Sequence, residues 1–528
     1  MPIPVIDLFA GPGGLGEGFS SVFDENNDRV FDIKLSIEKD ANAHQTLELR
    51  SFVHQFPKNE LPEEYYELLR ESNLVERNRL KQVLFEAHPE EAGRAREIAW
   101  LAELGKPEFP SDMIDRKIRN QLGEERNWLL IGGPPCQAYS VVGRNRIGGI
   151  FKDDHRVFLY KEYLRIIAVH QPAVFVMENV KGLLSAKLGE EKMFDWILND
   201  LRNPSEAFPG TNSAKYKIFS LTAKASNYDS NGNPVYKKDR DYLIQAEKYG
   251  VPQRRHRVIL LGIRADLDVT PDILQERREV MLKSVIGDLP KIRGGVNRIF
   301  HKSYLHEGKK KREYQNLEDS NETWSKYVKG FRNEIVSWNG FSKDYISRPL
   351  IIPEKETGKE FVPCQTPDES NPLADWYADS KIGGACNHES RAHLVQDLLR
   401  YQFSSIFTQT YKRFPKLQEY SAHSPKLLPD HDNAESGKFA DRFRTQPADQ
   451  VATTVTCHIS KDGHYFIHYD PDQCRSWTVR EAARVQTFPD NYLFCGSRTA
   501  QFHQVGNAVP PYLAKQIAEI VFTIFQKI

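Results

Sequence analysis

Short apolar runs alternate with stretches of helical spacing through the first half of the chain. The runs fall at 5–9, 33–37, 128–131, 173–177 and 257–263. Each has the length of one buried strand, and their order predicts an α/β fold with a mainly parallel sheet. Between 41 and 106 Glu and Arg dominate, apolar pairs recur at helical spacing (Tyr66 and Leu69, Leu80 and Leu84, Ile98 and Leu101), and Pro57, Pro62 and Pro89 interrupt them. That pattern predicts an inserted helical element. From about 266 to 450 regular alternation fades into long polar segments with scattered prolines and aromatics, the mark of a separate, irregular domain. Helical spacing returns at 479–485, and Pro510 and Pro511 open an amphipathic helix over 512–525. The expected division is a sheet-bearing domain over 1–265, an irregular domain over 266–455, and a return to the first over 456–528.

Composition narrows this to an ordinary globular protein. Of the 528 residues 40% are hydrophobic and 27% charged, near the average for soluble proteins, and no apolar run approaches a bilayer span. The first residues lack the basic start and small-residue cleavage site of a secretory signal, so a cytoplasmic protein is expected. Six cysteines, at 136, 364, 386, 457, 474 and 495, include no Cys-x-x-Cys pair, which predicts free thiols. Cys386, His388 and His393 lack the paired spacing of a zinc site, and no metal is expected. Lys and Arg (72) balance Asp and Glu (72), so any face for a polyanion must be local. The clearest basic cluster, Lys309 to Arg312, reads as a solvated loop more readily than as a phosphate contact.

The candidate chemistry sits where strands end. The first apolar run leads into Phe9-Ala10-Gly11-Pro12-Gly13-Gly14-Leu15, a Gly-rich turn of the kind that lets a ligand approach the backbone, although its spacing departs from the dinucleotide G-x-G-x-x-G. Glu38 ends the second run, where a carboxylate can accept from two ribose hydroxyls. The third informative run leaves through Gly133-Pro134-Pro135-Cys136-Gln137, a rigid turn that presents a cysteine as a nucleophile. After the next run comes Glu178-Asn179-Val180, so that a Cys and a Glu would share one pocket. In Gln253-Arg254-Arg255-His256-Arg257 alternate side chains point the same way, and two guanidiniums there suit an anionic or carbonyl-rich ligand.

With these motifs in this order the chain resembles the DNA (cytosine-5)-methyltransferases of bacterial restriction-modification systems. Two further segments, Arg475 to Pro489 and Gln504 to Pro510, resemble that family's ninth and tenth motifs, and together the six cover nearly the whole length. The resemblance implies a Rossmann-like S-adenosylmethionine-dependent sheet with helices on both faces, and a smaller irregular target-recognition domain in the 266–455 region. It implies S-adenosyl-L-methionine as cofactor, with Phe9, Gly11, Gly13, Gly14, Leu15, Glu38, Pro135, Leu159, Asn507 and Val509 around it. A thiolate from Cys136 would add to carbon 6 of an extruded cytosine, Glu178 would serve the ring nitrogen 3, and Arg257 with Arg255 would hold the carbonyl edge. The segment 138–155 has the Gly and Arg content of a mobile DNA-contacting loop, and Gln137, Ser140, Arg144, Arg156 and Gln253 are the expected DNA contacts. The Asp that ends the third strand in the family has no clear counterpart, Asp112 and Asp115 being the candidates. The expected partners are double-stranded DNA and a separately acting restriction endonuclease, with the chain a monomer. A tRNA cytosine-5 methyltransferase and a non-catalytic DNA-binding regulator are the competing functions. A dinucleotide dehydrogenase is a more remote one, resting on the Gly-rich turn alone.

Overall fold

The computed structural model describes residues 2–58, 60–135, 155–188, 191–307, 309–338, 349–365, 367–429 and 442–528. Eight strands form the central sheet: β1 (Ile3–Leu8), β2 (Phe31–Glu38), β3 (Ala99–Leu101), β4 (Leu129–Gly132), β5 (Val174–Val180), β6 (Tyr216–Phe219), β7 (Leu243–Gln245) and β8 (His256–Arg264). Their order is β7-β8-β5-β4-β1-β2-β3, and β6 pairs with β8 beside β7. The five strands from β3 to β5 are parallel. β8 runs antiparallel to β5, placing Ile259 opposite Glu178 and Arg257 opposite Val180.

Alternation along each strand divides the core between two faces. Ile6, Leu8, Leu130, Phe175 and Met177 pack against the helices Ser111–Leu122, His155–His170 and Met193–Arg202. Val5, Leu129, Ile131, Val174 and Val176 pack against Gly14–Ser20 and Pro511–Phe525. This is the doubly wound, Rossmann-like arrangement expected of a parallel sheet buried on both sides. Gly18 is required by it, since a Cβ there would lie 2.4 Å from the Ala514 methyl.

The 41–106 stretch is helical as far as Ile98, in four helices: Ala41–Val53, Glu63–Arg70, Leu74–Ala87 and Pro89–Ile98. Asp40 and Asn73 cap two of them through their side chains, and Pro89 occupies a first-turn position that needs no N–H. The next three residues are not helical. Ala99–Leu101 join the sheet as β3, beside Ser36 to Glu38. The outer helices tie the sheet to the later region: Tyr66 donates to Asp379, Arg70 to the Ile382 carbonyl, and Arg77 pairs with Glu360 at 2.9 Å.

Within 266–455, one core gathers Val296, Trp324, Val328 and Leu398. Another joins Val285 and Val455 to Trp477, Phe488 and Phe502 from the last quarter of the chain. The Lys309 to Arg312 run is not a loop. It lies in the second strand of an antiparallel hairpin, Gly295–His306 with Lys309–Asn316. Cys386 and His388 are engaged in packing: the thiol contacts the Leu69 carbonyl, and the imidazole sits between Thr478 and the Pro290 carbonyl. The five described cysteines are free thiols. Among the described residues no helix is long and apolar enough to cross a membrane.

Candidate active site

In a parallel sheet, ligands settle beyond the carboxyl ends of the strands. There β1 gives way to a turn that enters the left-handed region at Phe9 (φ 58°), Gly11 (φ 58°) and Gly13 (φ 97°). The turn is held from three sides. Ala10 donates its N–H to the Ile37 carbonyl, the Tyr492 hydroxyl donates to the Pro12 carbonyl, and a Cβ on Gly14 would come within 2.4 Å of the Val509 carbonyl oxygen. Glu38, at the end of β2, accepts the Gly11 N–H on one oxygen (2.8 Å) and the Asp40 N–H on the other (2.7 Å). Burial raises its pKa above the ordinary carboxylate value, and those two N–H groups counter part of the rise.

A cavity of about 520 Å³ opens over this floor, within the range of small-molecule sites. Phe9, Gly11, Gly14, Leu15, Glu38, Pro135, Leu159, Asn507 and Val509 line it, which brings together all but one of the expected cofactor residues. The exception is Gly13. It belongs to a separate cavity of about 130 Å³ behind the turn, shared with Asp7, Glu17 and Arg50. An adenosyl group suits the larger cavity. Each Glu38 oxygen carries one N–H and keeps a lone pair for a ribose hydroxyl, and a Cβ added to Gly11 would meet no protein atom within 4 Å.

The far end of the same cavity carries Gly133, Pro134, Pro135, Glu178, Arg255 and Arg257. A Cβ at Gly133 would lie 2.9 Å from Glu178 Oε2, so the carboxylate sits against the glycine that enters the Pro-Pro turn. Arg257 Nε lies 2.7 Å from Glu178 Oε1. Arg255 is placed differently: almost fully buried, it donates to the carbonyls of Val455 (2.8 Å) and Gly506 (3.2 Å). Burial, and then the Arg257 charge, hold its pKa well below the usual guanidinium range. It therefore fastens the segment carrying Asn507 and Val509 to the sheet. Cys136, Gln137, Ser140 and Arg144 lie outside the described residues, as does the side chain of Arg156.

Gln253 needs correction. It is wholly buried, its amide donating to the Val485 carbonyl and accepting from the Val455 N–H, both at 3.0 Å. Alternation failed as a guide because the strand is broken: Gln253–Arg254 pair with Ala452–Thr453, and β8 begins only at His256. Asp112 and Asp115 are likewise displaced. Both belong to the helix Ser111–Leu122, where Asp112 pairs with Arg116 and Asp115 with Arg165 and His170. The segment after β3 that lines the cavity is Ala102-Glu103-Leu104, hidden by the shortness of a strand that follows a helix directly. Sequence reasoning also missed a basic groove of about 670 Å³ next to Arg257, lined by Lys181, Arg240, Arg254 and His256. Its cations come from three separate segments, so no local run announced it.

The family model for C-5 cytosine-specific DNA methylases matches residues 107–523. The chain belongs to that family. This methyltransferase is 33% identical to the type II methyltransferase M.Bpa9945I of Bacillus paralicheniformis, over 98% of each chain. It is 26% identical to the DNA (cytosine-5-)-methyltransferase M.ApeKI of Aeropyrum pernix, over 76% of this chain and 82% of the relative. A crystal structure assigned as a DNA modification methyltransferase from an E. coli prophage superposes over 99% of both chains, with a TM-score of 0.50 at 18% identity. The enzyme is a DNA (cytosine-5-)-methyltransferase with a Rossmann-like fold.

Proposed function

We propose that this methyltransferase acts on a cytosine swung out of duplex DNA at one short sequence, through a covalent bond from Cys136, and so protects host DNA beside a restriction endonuclease. One observation carries the reading. A carboxylate packed against Gly133 at the entry of the Pro-Pro turn and ion-paired to an arginine occupies one end of a cavity whose other end is a Gly-rich turn and a carboxylate at a strand end. S-adenosylmethionine, when bound, supplies the electrophilic methyl group. Glu38 would hold its ribose hydroxyls, with Phe9, Leu159, Asn507 and Val509 as walls.

At the other end the Cys136 thiolate adds to carbon 6 while Glu178 delivers a proton at nitrogen 3, which leaves an enamine whose carbon 5 is nucleophilic. Arg257, oriented by Glu178, would reach the ring carbonyl, with Arg255 behind it as a positioning residue. After methylation a base removes the carbon 5 proton, the carbon–sulfur bond breaks, the thiolate leaves, and nitrogen 3 returns its proton to Glu178. The groove of Lys181, Arg240 and Arg254 would take the phosphates flanking the extruded nucleotide.

Labelled methyl should pass to duplex DNA and not to tRNA, and DNA containing 5-fluorocytosine should form a denaturation-resistant adduct. Cys136→Ala should abolish the adduct and leave cofactor binding nearly intact. Methylation by that variant, or a preference for tRNA, would overturn the proposal. Bisulfite sequencing of DNA from a methylation-free host expressing the chain identifies the sequence and the cytosine.

A further inference from the structure

The 295–316 hairpin is a ribbon anchored at one end. Its root is fixed: Val296 is fully buried, Gly295 to Arg298 run parallel to Ala392 to Leu394, and Phe300 exchanges backbone hydrogen bonds with the Gln396 side chain at 3.0 and 3.2 Å. Beyond Phe300 the described residues are exposed on both faces, Ser303 and Tyr314 being half-buried. Near the tip, Tyr304 is 44% and Leu305 78% exposed.

Charge is concentrated on this ribbon. Over 295–316 there are six Lys and Arg against two Glu, in a chain whose charges cancel overall. Lysines on an exposed strand serve in part to prevent edge-to-edge pairing. That purpose is met by one or two, whereas Lys309, Lys310, Lys311 and Arg312 are consecutive. Consecutive strand residues point to alternate faces, so the exposed Lys311 and Arg312 serve opposite sides of the ribbon, and a two-stranded ribbon is narrow enough to enter the DNA major groove.

We infer that the 295–316 hairpin is an arm that grips the DNA substrate through its phosphates, outside the cavity where the base reacts. The inference rests on the duplex-DNA reading above. Its test is the full-length variant K309A/K310A/K311A/R312A, with the melting temperature as a check that it folds. Binding is read by fluorescence anisotropy on a duplex carrying the bisulfite-identified sequence, across a range of salt concentrations. The slope of log K against log salt should fall by about 2 to 4, roughly 0.9 for each phosphate no longer neutralised. In steady-state methylation KM for DNA should rise at least about tenfold near 0.15 M salt, while kcat at saturating DNA stays within about twofold. Replacing the three lysines by arginine should keep the wild-type slope. An unchanged slope and KM, or a loss confined to kcat, would overturn the arm. If the wild-type chain binds duplex but transfers no methyl group, the proposed function fails while the same slope comparison on a duplex of arbitrary sequence still decides the arm.

Discussion

The central sheet and the helix Val479–Val485 bury their residues by opposite means. Between the sheet and its helices, Val5, Ile6, Leu129, Leu130 and Val176 are sealed from water with hydrocarbon as their neighbours. Around Val479–Val485 the sealed side chains include Arg475, Arg480, Glu481 and Arg484. Arg475 pairs with Glu481 at 2.6 Å, Arg484 with Asp490 and Asp288 at 2.7 Å each, and Arg480 donates to three backbone carbonyls. The sheet gains stability with every methylene buried and tolerates conservative exchange. The arginine cluster is stable only while each charge keeps its partner, and in return it fixes where Asp288, Cys386 and Asp490 stand.

The sharpest way to separate the two regions is through chemistry. Glu178→Gln keeps the shape of the side chain but removes the acid, so kcat should fall about 10³-fold with the melting temperature unchanged; steady-state kinetics beside calorimetry check this. Next comes stability. Arg484→Ala removes the guanidinium that pairs the partly buried Asp288 and leaves buried Asp490 with Arg480 at 3.9 Å, which should cost about 3 kcal/mol, against about 1 kcal/mol for Ile131→Val in the sheet, both read from denaturant unfolding. Equal losses would erase the contrast between the two regions. A smaller effect is expected at the cofactor end, where Glu38→Ala should weaken S-adenosylmethionine binding by roughly ten- to thirtyfold, measured by calorimetric titration, with duplex binding retained.

The last effect vanishes at neutral pH. Burial holds His388 neutral down to about 4, below its ordinary 6.5. Between those values the unfolded chain binds more protons than the folded one, so stability is complete above 6.5 and declines as pH falls through the window. Burial alone would raise Glu481, yet Arg475 draws it down to about 2, from 4.5. Its share is present above 4.5 and is lost on acidification toward 2. Buried His54 and His468 are lowered in the same way, so thermal melts across pH should show a decline in which His388→Gln reduces the upper part and Glu481→Gln the lower, without abolishing either.

What the sequence disclosed follows from the same contrast. Runs such as 128–131 and 173–177 declared their strands because burial on both faces demands continuous hydrocarbon, and the ends observed differ by at most three residues. Glu38 and Glu178 were legible as cavity residues because each closes an apolar run, and strand ends converge on one edge of a parallel sheet. Three-residue β3 carried no period to detect, and Gln253 was misassigned because its strand breaks two residues later. Arg255 was recognised as important but not as a clamp, since its acceptors, the Val455 and Gly506 carbonyls, lie 200 and 251 residues away. Local pattern reports neighbours in sequence, and buried polar partners are chosen in space.

The contact between Gly14 and the Val509 carbonyl has a consequence for synthesis. The cavity is bounded by Phe9 to Leu15 and by Gln504 to Val509, segments that leave the ribosome far apart in time, so a nascent enzyme can shape its sheet early yet has an incomplete chamber until the later segment has emerged. A chain ended before residue 507 should fold in part and transfer no methyl group, because one wall of the cavity is missing.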